Sequence, residues 1–258
     1  VSNTLLRYPG GKSRAAKNIS KYFPQHVEKV VSPFIGGGAV EFELALRGIK
    51  IYASDIFKPL ICFWTQVKYN REKLADAVEH QYLNSMSRDR FYELQKSILN
   101  AELSEIELAS MFFVLNRCSF SGTTLSGGCS PGFPRFTKSS IDKIRKFDII
   151  DNVLAFDTLD FEEAIALHED EWLYCDPPYM LKKSNLYGVK GNLHNAFEHD
   201  RLHKVLAKRD KWMLSYNDCE EIRELYKNFR INEIKWEYGM NKEKGSKEIL
   251  IMSENDWR

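Results

Sequence analysis

Short apolar runs of strand length alternate along this chain with stretches of helical composition. The first well-marked run is VEKVVS at 27–32, followed by PFIGGGAV and a helix-like stretch over 40–46 that Gly48 ends. IYAS at 51–54 predicts a second strand, closing on Asp55. Strand, glycine turn, helix, strand and acid is the order of a βαβ unit, so the pattern predicts an α/β fold with a parallel sheet. From 59 to 115 the spacing is mainly helical. Ser87 or Asp89 can open a helix before RFYELQKSIL, and Ser104 with Glu107 has capping-box spacing before LASMFFVLN. Residues 118–140 are rich in glycine and proline, and strand patterns return from Val153 as VLAF, WLYC, WMLSY and EILIMS. Together these predict a sheet-forming domain, 1–56 with 148–258, interrupted by a mainly helical insertion over 57–147.

Composition narrows the class. With 258 residues and 43% apolar side chains the chain can bury a sizeable core, and 28% charged residues with a net charge of +1 exclude a disordered polyion. Overall charge does not announce nucleic-acid binding, but the local charge differs. Between Met111 and Phe147 the bases Arg117, Arg135, Lys138, Lys143, Arg145 and Lys146 are set against Asp142 alone. A turn-rich basic insertion suits phosphate contacts, and equally an ordinary solvated loop. Five cysteines with no C-x-x-C spacing argue against a disulfide framework or a cysteine zinc site. No signal-like start and no apolar run near the ~18 residues of a membrane span are present, so a soluble, cytoplasmic protein is expected. His194, His199 and His203 lie close, but no second ligand cluster accompanies them. His199 and His203 are expected to decorate a helix face, and no metal is expected.

Four motifs carry chemistry. FIGGGAV at 34–40 lets the backbone turn sharply and a ligand approach closely, and a helix N-terminus follows. Its spacing is neither the dinucleotide fingerprint nor a P-loop, and alone it reads as a tight turn. Asp55 ends the next strand, where doubly wound folds hold ribose hydroxyls; alone, it reads as a cap or turn former. WLYCDPPY at 172–179 stops a buried strand on Asp176 and stiffens the next two positions. Pro177 and Pro178 have fixed φ and no N–H, so their carbonyls are aimed acceptors, and Tyr179 adds a flat face. A carboxylate, a fixed carbonyl and a ring suit a planar molecule whose amino group donates two hydrogens. LRYPGGK at 6–12 adds a Gly-Gly turn between an aromatic and a lysine.

In this order the pieces resemble the Dam-type adenine-N6 DNA methyltransferases, whose cofactor motifs come first, recognition insert next and catalytic tetrad last. RYPGGK, PFIGGGAV and YASD look like cofactor motifs, LNRCSFSG at 115–122 like the start of the recognition segment, and DTLDFEEAI at 157–165 like the adenine-pocket motif. DPPY is the tetrad, and YGVKGNLHNAFEHDRL, LSYND and KGSKEILI resemble downstream stretches, so the likeness spans nearly the whole chain. It implies a Rossmann-like methyltransferase sheet with an inserted, mainly helical DNA-recognition domain, S-adenosylmethionine as cofactor and double-stranded DNA as substrate. Asp176, Pro177, Pro178 and Tyr179 would be catalytic. Tyr8, Lys12, Phe34, Gly36, Gly37, Gly38, Ala39, Val40, Asp55, Asp160, Phe161 and Asp176 would hold the cofactor. Asn116, Arg117, Ser119, Gly122, Thr123, Arg135 and Lys138 would meet DNA.

The best-known methylases of GATC carry an arginine just beyond the glycine of that recognition segment. Here Gly122 is followed by Thr123, Thr124 and Leu125, which predicts a different target. A monomer is expected, with a cognate restriction endonuclease as a candidate partner. The same tetrad geometry also serves cytosine N4, RNA or protein amides, and a non-catalytic DNA-binding subunit is the reading from a different class.

Overall fold

The computed structural model describes residues 4–99, 102–180, 188–190, 193, 196–234 and 248–253. Its centre is one seven-stranded sheet built from β1 (Lys29–Ser32), β2 (Lys50–Asp55), β3 (Val153–Thr158), β4 (Trp172–Cys175), β5 (Trp212–Asn217), β6 (Arg230–Ile234) and β7 (Glu248–Met252). The order across it is β3-β2-β1-β4-β5-β7-β6, and the first five pair in parallel. β7 runs antiparallel between β5 and β6. The chain reverses its direction of travel across the sheet between β1 and β4, and at such a switch point two neighbouring strand ends diverge to leave a crevice.

Side-chain alternation divides the core in two. Val30, Trp172, Tyr174, Met213 and Leu250 point to one face, while Val31, Leu173, Cys175, Leu214 and Ile251 point to the other. The first face is covered by α1 (Ala16–Ser20), α2 (Ala39–Leu46) and α3 (Lys58–Tyr69), the second by α8 (Phe161–Ala166), α9 (His199–Leu206) and α10 (Glu220–Leu225). The central strands are apolar on both faces because both are covered.

Between β2 and β3 the chain also forms α4 (Arg71–Leu83), α5 (Arg88–Ser97), α6 (Glu105–Cys118) and α7 (Lys138–Arg145). Ser87 caps α5 by accepting from the Arg90 amide, and Ser104 and Glu107 form the expected reciprocal box at the start of α6. Phe63, Trp64, Phe112 and Phe113 pack ring against ring where α3 meets α6. Trp64 also packs on Phe156 of β3, so these helices share one apolar cluster with the sheet face.

The sequence pattern missed β6. RINEI is an edge strand that is half-exposed along its length, so it lacks the apolar run that marks its neighbours. His199 and His203 lie on α9, as expected, and both are half-buried: His199 Nδ1 meets the Tyr216 hydroxyl of β5, and His203 packs edge-on against Tyr226, just past α10, at 5.0 Å. His194 lies outside the described residues.

Candidate active site

The crevice begins with the glycine turn after β1. Gly38 is the N-cap of α2 at φ +69°, and a Cβ there would stand 2.3 Å from the Phe42 ring, so the turn requires glycine twice over. The end of β2 holds this turn in place: the Ile35 amide donates to the Ser54 carbonyl at 3.0 Å, and the Gly36 amide to Asp55 Oδ2 at 3.3 Å. From below, Trp64 Nε1 donates to the Gly36 carbonyl at 3.0 Å. Tyr8 lies over the turn, its ring 3.0 Å from where a Gly36 Cβ would be.

Asp55 is therefore a brace as well as a candidate ligand, since its other oxygen accepts the Phe57 amide at 3.0 Å. Burial lifts its pKa to about 6 against the pull of these amides. Asp160 caps α8 and pairs with Arg201, whose guanidinium sits 4.6 Å from the Phe161 ring centroid. Phe34 packs on Phe161 at 5.6 Å and Phe197 on both, forming an aromatic floor.

Across the switch point, Asp176 leaves the end of β4. Lys12 Nζ lies 2.9 Å from both of its oxygens, donates to the Gly10 carbonyl at 2.9 Å, and stands 4.7 Å from the Tyr179 ring centroid. Burial raises the Asp176 pKa to about 6, while Lys12 acts in the opposite direction. Tyr179 packs on Tyr216 at 5.9 Å.

These parts enclose one cavity of about 260 Å³. Every residue expected to bind cofactor lines it: Tyr8, Lys12, Phe34, Gly36, Gly37, Gly38, Ala39, Val40, Asp55, Asp160, Phe161 and Asp176. Pro178 joins them, whereas Pro177 and Tyr179 do not line it. Glu41, Ile56, Phe197 and Arg201 also line it and were missed. Phe197 and Arg201 lie in the YGVKGNLHNAFEHDRL stretch, which was given no role, and Ile56 could have been suspected as the neighbour of the strand-end acid. A lysine at one end, a carboxylate at the end of β2 and an aromatic floor fit a ligand with an amino-acid tail, a ribose and a purine.

The structure places part of the recognition segment inside: Asn116 and Ser119 have no exposure and Gly122 is buried. Asn116 instead bridges to the N-terminal segment, accepting from the Arg7 amide at 3.0 Å and donating to the Arg7 carbonyl at 2.7 Å. Gly122, at φ +76°, packs so closely that a Cβ would stand 1.9 Å from that carbonyl. Phe120, by contrast, is 68% exposed. Arg117 donates to the Arg135 carbonyl at 2.9 Å, and burial together with Arg7 and Arg135 lowers its pKa. Thr123 is half-buried, and Arg135 and Lys138 are exposed. Arg145, counted among the bases of this region, is paired with Glu72, Asp76 and Glu79 of α4. Among the described residues no group of three or more His, Cys, Asp or Glu could hold a metal, and no helix is long and apolar enough to cross a membrane.

Comparison with known proteins agrees with this geometry. The chain is 28% identical over 251 residues to the type II methyltransferase M1.LlaDCHI of Lactococcus lactis subsp. cremoris, with 89% of this chain and 86% of the relative covered. It is 24% identical over 245 residues to a DNA adenine methylase of Haemophilus influenzae, covering 90% and 85%. It is 25% identical over 284 residues to the type II methyltransferase M.MjaIII of Methanocaldococcus jannaschii, covering 96% and 98%. The model of the D12 class N6 adenine-specific DNA methyltransferases matches residues 8–240. With the strand-end acids, the glycine turn and DPPY gathered at one switch point, the chain belongs to the D12 class N6 adenine-specific DNA methyltransferase family.

Proposed function

We propose that this enzyme binds S-adenosylmethionine in the switch-point cavity and methylates an adenine flipped out of double-stranded DNA at a specific site. The observation that carries this is the meeting, around one cavity, of the glycine turn after β1 with Asp176 after β4. When bound, the cofactor supplies an electrophilic methyl group on a sulfonium. Tyr8, Lys12 and the turn from Phe34 to Val40 would hold its amino-acid end, Asp55 its ribose, and Asp160 with Phe161 its purine.

Adenine N6 is a poor nucleophile because its lone pair is delocalised into the ring. Asp176 and the Pro177 carbonyl would each accept one N6 hydrogen, drawing the nitrogen toward a pyramidal shape. The same acceptors stabilise positive charge as the new bond forms. Lys12 does not preclude this, because a carboxylate has about four acceptor sites and Lys12 uses two. Lys12 also favours the charged form that can accept. Flipping the base costs a few kcal/mol, and stacking on Tyr179 would return roughly 1–3 kcal/mol.

Residues 57–147 would supply target recognition, with Arg117, Thr123, Arg135 and Lys138 meeting DNA beside the exposed Phe120. Asn116, Ser119 and Gly122 would shape that surface from within. The Thr123–Leu125 stretch supports a target other than GATC. We read the enzyme as a cytoplasmic monomer, consistent with its five free cysteines, and two of its relatives are type II methyltransferases, which supports a partner restriction endonuclease.

The test is to incubate the protein with S-adenosylmethionine and unmethylated DNA, then identify the nucleosides by mass spectrometry, with Asp176→Ala alongside. N6-methyladenine from the wild type alone supports the assignment, and sequencing the product gives the site. N4-methylcytosine would overturn the base, and no methylated base with cofactor bound would overturn the activity.

A further inference from the structure

Glu41 plays no part in the chemistry described above, yet it lines the same cavity and is only 3% exposed. It sits in the first turn of α2, and Ser32 Oγ of β1 donates to its Oε1 at 2.6 Å. Charged and titratable groups approach from the other elements around it. Asp176 lies beyond β4, Lys12 comes from the N-terminal segment, and Tyr174 belongs to β4. Glu248 of β7 stands 4.0 Å from Lys12. Lys12 is already matched by Asp176 at 2.9 Å, so among the described residues of this cluster no further cation balances a second buried carboxylate. Burial accordingly raises the Glu41 pKa to about 8, with nearby Asp176 adding to the rise and Ser32 and Lys12 opposing it.

A buried acid beside a cation-binding cavity has a definite use. A sulfonium cofactor carries one more positive charge than the thioether left after its methyl group is transferred. Bringing that charge out of water favours an ionised carboxylate nearby, and removing it favours the acid form. We infer that Glu41 gives the pocket its preference for the sulfonium over the spent thioether, by releasing a proton to solvent when the cation enters and regaining one once only the thioether remains. This rests on the assignment of the cavity to S-adenosylmethionine. It adds a specificity-determining residue, acting by charge, that does not touch the reacting amine.

The test is isothermal titration calorimetry of S-adenosylmethionine and S-adenosylhomocysteine at pH 7, in buffers of different ionisation enthalpy, which counts protons released. At pH 7 roughly nine in ten Glu41 carboxyls are protonated, whereas Asp55 and Asp176, both with pKa about 6, are largely ionised already. The wild type is expected to release close to one more proton with the sulfonium than with the thioether. Glu41→Gln keeps the shape and an oxygen for Ser32. It is expected to lose that difference and to shrink the sulfonium-to-thioether affinity ratio several-fold. The ligand's own amine contributes equally to both proteins and cancels. Ser32→Ala is a second variant. Without its donor the Glu41 pKa rises further, so sulfonium affinity at pH 7 should fall while thioether affinity stays within twofold. Equal proton counts in wild type and Glu41→Gln, with both ligands bound, would overturn this inference alone. Binding of neither ligand to the wild type would overturn the cofactor assignment and this inference with it.

Discussion

The ammonium of Lys12 lies 2.9 Å from each carboxylate oxygen of Asp176, although 164 residues separate them in the chain. Both side chains line the cavity, so this ion pair favours the charged form of the acid proposed to accept from the target amine.

With its pKa near 6, Asp176 should lose acceptor capacity as pH falls through that value, giving kcat/KM an acidic limb there. Lys12 holds that pKa down, so Lys12→Met should move the limb to higher pH as well as lower the maximum. A pH profile of single-turnover rates on DNA reads this. A limb that stays in place in the variant would remove Lys12 from control of Asp176.

Tyr179→Ala should lower single-turnover methylation by roughly 10–100-fold, corresponding to ~1–3 kcal/mol of lost stacking. Tyr179→Phe and Tyr179→Trp keep a ring and should be milder. Equal losses across the three variants would rule out stacking.

Asn116→Ala should destabilise the fold and weaken the cofactor site together. It removes both Arg7 backbone hydrogen bonds, and each buried group left unpaired costs about 1–3 kcal/mol. Urea unfolding and cofactor titration measure the two effects. A variant that lost DNA binding with an unchanged unfolding midpoint would show Asn116 to be a contact residue after all. Gly122→Ala should behave like Asn116→Ala, because its Cβ would displace the Arg7 carbonyl.

Arg135→Ala should weaken DNA binding similarly on all sequences and flatten the dependence of log affinity on log salt by about 0.9 for one lost phosphate contact. Arg145→Ala should leave that slope unchanged, because its partners are the acids of α4. Fluorescence anisotropy over a range of salt concentrations distinguishes them.

The contrast between Arg135 and Arg145 shows where sequence reasoning reached and where it stopped. The β1, glycine turn, β2 and Asp55 succession was legible because each is a local event: an apolar run, a backbone reversal, a strand end. The Asp176 turn was legible for the same reason. Arg145 is neutralised from a helix more than sixty residues away, which no local charge count can register. Asn116 and Ser119 sit in a recognisable segment, but a motif marks position along the chain and not exposure to solvent. Glu41 and Arg201 join the cavity only because α2 and α9 flank the same switch point. β6 escaped because an edge strand with one wet side has no continuous apolar run.

The N-terminal stretch from Thr4 to Lys12 ties together distant parts of the site: Thr4 binds the Gly37 carbonyl, Arg7 is clasped by Asn116, Tyr8 covers the glycine turn, and Lys12 holds Asp176. On the ribosome these residues emerge well before their partners. They must wait through the synthesis of 109 further positions for Asn116 and of 164 for Asp176. Contacts so distant along the chain form late in folding, after the loops between them have closed. The methyl-transfer centre should therefore be the last part of the molecule to take shape, leaving a nascent chain unable to modify DNA until its catalytic half has folded.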